Sequence, residues 1–444
     1  MNVKVLNRKT LFVYAFLINC VLIMTQFSWQ PWIKAPFALK TAIQFLLIGC
    51  SLRFLYKDKC HTKRAYLSAI AVLMLVLIGM FRGIFAVDGY WGYKGWINCS
   101  MSAITLVLLF PLGNPSVARR CLQMWNKYLW PVLFFFALIF ATKDSFAPHL
   151  APIYYFYLLF FFMTGLSGKV RLVIILGIIF VIVYTENRSG VIKTAGSLLL
   201  CSTLLLATFW RKTSLIILHF VFFLLPIVLL ILGITGKFNI FKAFNDETPQ
   251  EITVRLNGQD EETTIQKTDL TADTRTLLYE EVILSAIEND YVIFGNSVGR
   301  GNTHNGEWLV DLEGYDGSER LRNEVGILNT FTWMGLVGLI LHTLMYLQAS
   351  CLGLFFSKNR YVPVIACAVA CHWALSWMEE VPEFTVMDFA FYLLMGICFS
   401  PWFRKMSDIE FRMWFKSCFT KAGTFTPYDA LQWMKLNYIA KKLK

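Results

Sequence analysis

Apolar residues along this chain gather in blocks, each about as long as the roughly 20 residues a helix needs to cross a hydrocarbon core. Twelve such blocks begin near Thr10, Ala35, Ala65, Ile97, Leu122, Pro152, Leu172, Val191, Ser214, Ile327, Tyr361 and Thr385. One long polar stretch, roughly Lys237 to Gly326, interrupts them. The expected fold is therefore an all-α integral membrane protein of about twelve transmembrane helices with one large, partly helical outer loop. Residues 1–236 form a bundle of about nine helices, 237–326 the outer loop, 327–402 about three more helices, and 403–444 a basic amphipathic tail.

Composition agrees with a bilayer setting. The chain is 57% hydrophobic, with a mean hydropathy of +0.54, which would be strange in a soluble enzyme of this length. The first block ends in Trp29-Gln30-Pro31-Trp32 with no small-residue cleavage site, so it is expected to be a span and not a signal peptide.

Orientation follows from the basic residues, which favour cytoplasmic loops. With the N-terminus inside, well over half of the lysines and arginines fall on inner connections and in the tail, and the long loop lies outside. The net charge of +12 is mostly this inner bias, which suits anionic lipid and gives no reason to expect nucleic acid. In the tail, Phe411, Met413, Trp414, Leu431, Trp433 and Met434 interleave with basic residues, a pattern expected to lie on the membrane surface. None of the eleven cysteines falls in the long loop, and no disulfide framework or zinc spacing emerges. Cys367, Cys371 and His372 read as packed residues of an apolar span rather than as metal ligands.

Chemistry is expected in the outer segments. From Thr271 the loop predicts a helix, capped by Asp273 or Thr274, with Leu277, Leu278, Val282, Leu284 and Ile287 at helical spacing and an end before Gly295. Arg275 then lies in the first turn, where a cation opposes the helix dipole and an anionic partner would relieve it. The glycine-rich run from Gly295 through Arg300 to Gly306 reads either as an anion cradle or as an ordinary turn. A second polar cluster, Thr185-Glu186-Asn187-Arg188-Ser189-Gly190, sits at an outer edge where few cations are expected; charge at membrane depth points to function, with snorkelling to headgroups as the alternative.

These residues carry a resemblance. Asn187-Arg188-Ser189-Gly190 after one span, Asp273-Thr274-Arg275 opening a helix that runs into Gly295 and Gly299, and a large outer loop leading into Gly335-Leu336-Val337-Gly338 resemble the bacterial O-antigen ligase and polymerase superfamily. The resemblance implies an inner-membrane protein with both termini cytoplasmic and the 237–326 loop periplasmic. It implies a membrane glycosyltransferase whose partners are undecaprenyl-diphosphate-linked glycan donor and acceptor, membrane lipid and a regulator of chain length. It also implies that Arg188 and Arg275 hold the carrier diphosphate, a task that suits the permanently charged, paired donors of a guanidinium. The ligase branch usually has a His-Asn pair about ten residues before its Gly-x-x-Gly; here those positions are Glu324 and Val325. That departure favours the polymerase branch.

The expected chemistry is a metal-independent, inverting glycosyl transfer with no cofactor. Arg188 and Arg275, helped by Arg300 or Arg322, clamp the departing diphosphate. Glu324, or His304 as the second candidate, takes the proton of the attacking sugar hydroxyl. Trp308 is the aromatic retained as a sugar-stacking candidate. Two readings stay open beside this one, an O-antigen ligase transferring lipid-linked glycan to lipid A-core and a polysaccharide flippase. Transporters place charge at the midplane, where this chain carries little beyond His342, His372 and Asp388.

Overall fold

A computed structural model of the chain describes residues 8–26, 35–57, 63–129, 188–235, 274–303, 319–378, 384–420 and 426–432, with a few positions between 168 and 176. Helices dominate: α1 (Arg8–Gln26), α2 (Phe37–Lys57), α3 (Leu67–Ile84), α4 (Gly89–Ile104), α5 (Leu109–Leu112), α6 (Pro115–Met124), α7 (Arg188–Ser202) and α8 (Thr208–Ile234) precede the polar stretch. Within and after it come α9 (Thr274–Glu288), the two-residue strands β1 (Asn302–Thr303) and β2 (Glu319–Arg320), α10 (Gly326–Phe355), α11 (Tyr361–Leu375), α12 (Val386–Phe399), α13 (Pro401–Lys405) and α14 (Asp408–Ser417). Among the described residues, five helical stretches are long and apolar enough to cross a membrane: Phe37–Tyr56, Arg64–Ile84, Gly89–Leu112, Thr208–Leu232 and Gly326–Phe355. Shorter apolar helices cover Lys9–Ile23, Ala195–Leu205, Tyr361–Leu375 and Met387–Phe399. Most of the block from Leu122 and those from Pro152 and Leu172 lie outside the described residues, as does 236–273 of the polar stretch.

The central helix is α10, which packs against α3, α11 and α12. Its neighbours fix the directions. Ile327 at its start bonds through its N–H to Ser376 O at the end of α11, at 3.0 Å. Near its other end Gln348 accepts from Ser68, at the start of α3. So α10 runs antiparallel to both, and the bundle has a face carrying residues 289–303 and 319–325 and an opposite face carrying α13 and α14. The first is called the loop face below and the second the tail face. Along α8, Cys367 Sγ lies 3.2 Å from Leu215 O, and Phe223 stacks on Trp373. That helix therefore ascends toward the loop face alongside α11.

Two details depart from the sequence reading. Gly335, which the resemblance places in the Gly-x-x-Gly that the outer loop leads into, is a break inside α10, with φ 65° and ψ −163°. Backbone groups freed by a break in an apolar helix need new partners, and residues 292–296 supply them. Leu336 N–H donates to Val292 O at 2.8 Å, Val337 N–H to Ile293 O at 3.2 Å, and Asn296 N–H to Thr332 O at 2.7 Å. Over its described residues, 295–303, the glycine-rich run is therefore packed rather than a loose turn or an open cradle. Its Val298 is fully buried, and a Cβ on Gly299 would sit 3.0 Å from Gly83 O of α3.

The tail also differs from a helix lying on a lipid surface. Phe411, Trp414 and Phe415 are buried in the same core as the bundle helices, and Trp414 donates its indole N–H to Pro115 O at 2.9 Å. Ser407 and Glu410 form a capping box that starts α14 and aims this aromatic face at the bundle. Trp433 and Met434 lie outside the described residues.

Candidate functional site

The expected site residues gather on the loop face to the extent that the structure describes them. Arg188 opens α7, and that helix descends beside α11, with Gly196 in contact distance of Cys371. Arg275 lies in the first turn of α9, one turn before Tyr279, whose hydroxyl donates to Trp377 O at 2.7 Å. Both arginines thus occupy helix N-termini, where exposed N–H groups and the dipole favour an anion. His304 and Trp308 lie outside the described residues.

Arg322 and Glu324 sit on the connection between β2 and α10, and a set of asparagines pins that connection. Asn323 N–H donates to Asn329 Oδ1 at 2.7 Å, and Asn329 Nδ2 donates back to Asn323 O at 2.6 Å and to Val325 O at 3.1 Å. Asn323 Nδ2 reaches Asn302 Oδ1 of β1 at 3.0 Å. Asn302, Asn323 and Asn329 are all buried, so these bonds are exchanged away from water and hold the segment firmly. Between the buried Asn323 and Val325, Glu324 is exposed.

Arg322 belongs to a cluster that the sequence reading did not anticipate. Lys40 of α2 lies within electrostatic range of both Arg322 and Lys94 of α4. Lys40 and Lys94 each place their ammonium 5.7 Å from the ring centre of Phe37, and Lys94 lies 4.5 Å from that of Trp91. Aromatic faces attract such cations but do not cancel their charge. Asp388 is within range of Arg322, yet its carboxylate is engaged at the start of α12, accepting from Thr385 N–H at 2.9 Å and Thr385 Oγ1 at 2.7 Å. Like charges drawn from separate elements repel unless an anion joins them. The signal for Lys40 and Lys94 was present in the sequence, because both are cations near the starts of apolar blocks.

Two further arginines on this face pair with carboxylates. The Glu319 carboxylate receives Arg300 through Nε, at 2.8 and 2.9 Å, and through Nη2. That pairing raises the Arg300 guanidinium further above its ordinary pKa, so it stays charged but engaged. Arg320 pairs with Glu281 of α9 at 3.2 Å. Among the described residues no group of three or more His, Cys, Asp or Glu side chains could hold a metal ion. His372 instead stacks on Phe391, with ring centres 3.6 Å apart.

No family model, curated protein or solved structure matches this chain. The functional reading therefore rests on the residues of the loop face.

Proposed function

We propose that this protein polymerises undecaprenyl-diphosphate-linked oligosaccharide repeat units into a surface polysaccharide, by inverting glycosyl transfer at the outer face of a bacterial inner membrane. The observation that carries this reading is the cation cluster of Lys40, Lys94 and Arg322 at one end of an apolar helical bundle, two residues from the exposed carboxylate of Glu324. An apolar bundle gives access to a lipid carrier, and converging cations suit its diphosphate. In the step, an acceptor hydroxyl oxygen attacks the anomeric carbon and the bond from that carbon to the diphosphate oxygen breaks. The diphosphate leaves with the electron pair, and Glu324 takes the hydroxyl proton. Arg322, Lys40 and Lys94, with Arg188 and Arg275 from the two helix N-termini, stabilise the charge on the leaving group. The loop face is then periplasmic, and the basic tail face cytoplasmic.

The test is reconstitution of the full chain with undecaprenyl-diphosphate-linked repeat units. A ladder of lengthened, lipid-linked products is expected, with Glu324→Gln and Arg322→Ala each reducing it. Unaltered donor in the presence of folded wild-type protein would refute the reading.

A further inference from the structure

On the perimeter of the bundle, α3, the 292–296 segment and the break in α10 enclose a groove of about 350 Å³, lined by Leu75, Ile78, Gly79, Arg82, Phe294 and Trp333. Its walls are apolar apart from Arg82. Ile78 and Phe294 are more than half exposed, at 53% and 62%. Arg82 lies in the last turn of α3, two turns and so about 10 Å beyond Leu75. Its guanidinium donates to Phe294 O at 3.0 Å and Gly295 O at 3.1 Å. Those carbonyls orient the group but leave its charge uncancelled, and they use only part of its five-donor fork. Among the described residues no carboxylate pairs with it. A cation at the edge of an apolar bundle calls for an anionic partner.

We infer that this groove seats the hydrocarbon chain of a polyisoprenyl diphosphate, with Arg82 holding a phosphate oxygen at its mouth. The inference rests on the function proposed above and adds the place where the carrier enters. One apolar trough ending at one guanidinium complements a single chain with a multiply charged head. A phospholipid would bring two chains beneath one phosphate. Trp333 joins the groove to the cation cluster, because its indole N–H donates at 3.2 Å to Leu321 O, the residue before Arg322.

The experiment is a native mass spectrometry titration of the purified full chain with undecaprenyl diphosphate and, separately, with phosphatidylglycerol. Arg82→Gln keeps an amide donor for the two carbonyls while removing the charge, and Ile78→Trp fills the groove from an exposed position. Both variants are checked for an unchanged melting temperature, and Arg82→Lys, which keeps the charge, guards against a purely structural loss. The expected result is binding of undecaprenyl diphosphate that weakens roughly tenfold or more in Arg82→Gln and in Ile78→Trp, with Arg82→Lys in between. If the wild type binds and Arg322→Ala weakens it while both groove variants do not, the groove assignment is overturned and the proposed function stands. Equal binding of phosphatidylglycerol, lost in the same variants, overturns the choice of carrier. Absence of undecaprenyl diphosphate binding by the wild type overturns both readings.

Discussion

Gly295 and Gly335 face each other with positive φ, 69° and 65°, and a Cβ on Gly335 would lie 2.5 Å from Gly295 N. A Cβ on Gly335 would meet the backbone of Ile293 and Gly295, and one on Gly295 the backbone of Trp333 and Met334, so neither position has room for a side chain. This contact is where the polar segment enters the broken helix α10. Alanine at either position should cost about 1–3 kcal/mol from backbone strain alone, with the clash adding to it. Gly49→Ala is the control, since nothing lies within 4 Å of its Cβ position and alanine favours a helix by up to about 1 kcal/mol. Thermal unfolding in detergent should show the first two variants melting lower and the control unchanged or higher.

The cation cluster predicts that function and stability separate. Lys40 and Lys94 repel each other but each also lies over the Phe37 ring, so removing either should leave stability within about 1 kcal/mol of the wild type. Product formation should nonetheless fall by on the order of 10²-fold, as when one group stabilising a transition-state charge is lost. Melting curves and ladder intensity, measured on the same preparations, check both halves. A fall in stability matching the fall in product would make the cluster merely structural.

Arg300 should behave differently from Arg322, although both were candidates from the sequence. Its guanidinium is engaged by Glu319, so Arg300→Ala is expected to leave product formation within about twofold. The pair is partly exposed, and such pairs contribute at most about 1 kcal/mol. A loss with Arg300→Ala as large as with Arg322→Ala would show that the ion pair opens during the proposed reaction.

Acid should release the tail. Burial raises the Asp408 carboxyl, but the backbone N–H and guanidinium of Arg360, together with Arg412, outweigh it and hold the group below its ordinary value. Asp429 is lowered too, burial being overcome by Thr426 and by Arg119, the latter at 2.6 Å. A carboxyl depressed in the folded state stabilises it fully above the unfolded pKa, and the contribution is lost as pH falls through the folded value. Docking of the tail should therefore be flat from pH 7 down to about 5 and weaken only below about 3.9. Limited proteolysis within residues 400–432 checks this, and Arg119→Ala together with Arg360→Ala should allow cleavage already at neutral pH.

Much of the bundle was legible in the sequence because hydropathy reports burial in lipid or core directly. The blocks from Ala35, Ala65, Ile97, Ser214 and Ile327 became the five long apolar helices, and the helix carrying Arg275 begins at Thr274. Hydropathy cannot report a break that leaves the flanking residues apolar, so the block from Ile327 read as one unbroken span. Nor does it separate lipid from protein as the partner of an aromatic face, which is why Trp414 was expected at the membrane surface. Site residues were legible singly, from charge in the wrong place. Their company was not, because Lys40, Lys94 and Arg322 are distant in the chain and meet only when α2, α4 and the start of α10 assemble. Arg82 escaped notice because its role depends on the 292–296 segment folding onto α3.

The central claim is tested most directly by a gel of surface glycans from cells lacking this protein, beside the same strain complemented. The account predicts loss of the long ladder, with a single repeat unit still attached to the lipid anchor, and its return on complementation with the wild type but not with Arg322→Ala. A ladder unchanged by deletion would contradict the account. Loss of every attached unit, with polymer accumulating on the carrier, would contradict it in favour of a ligase.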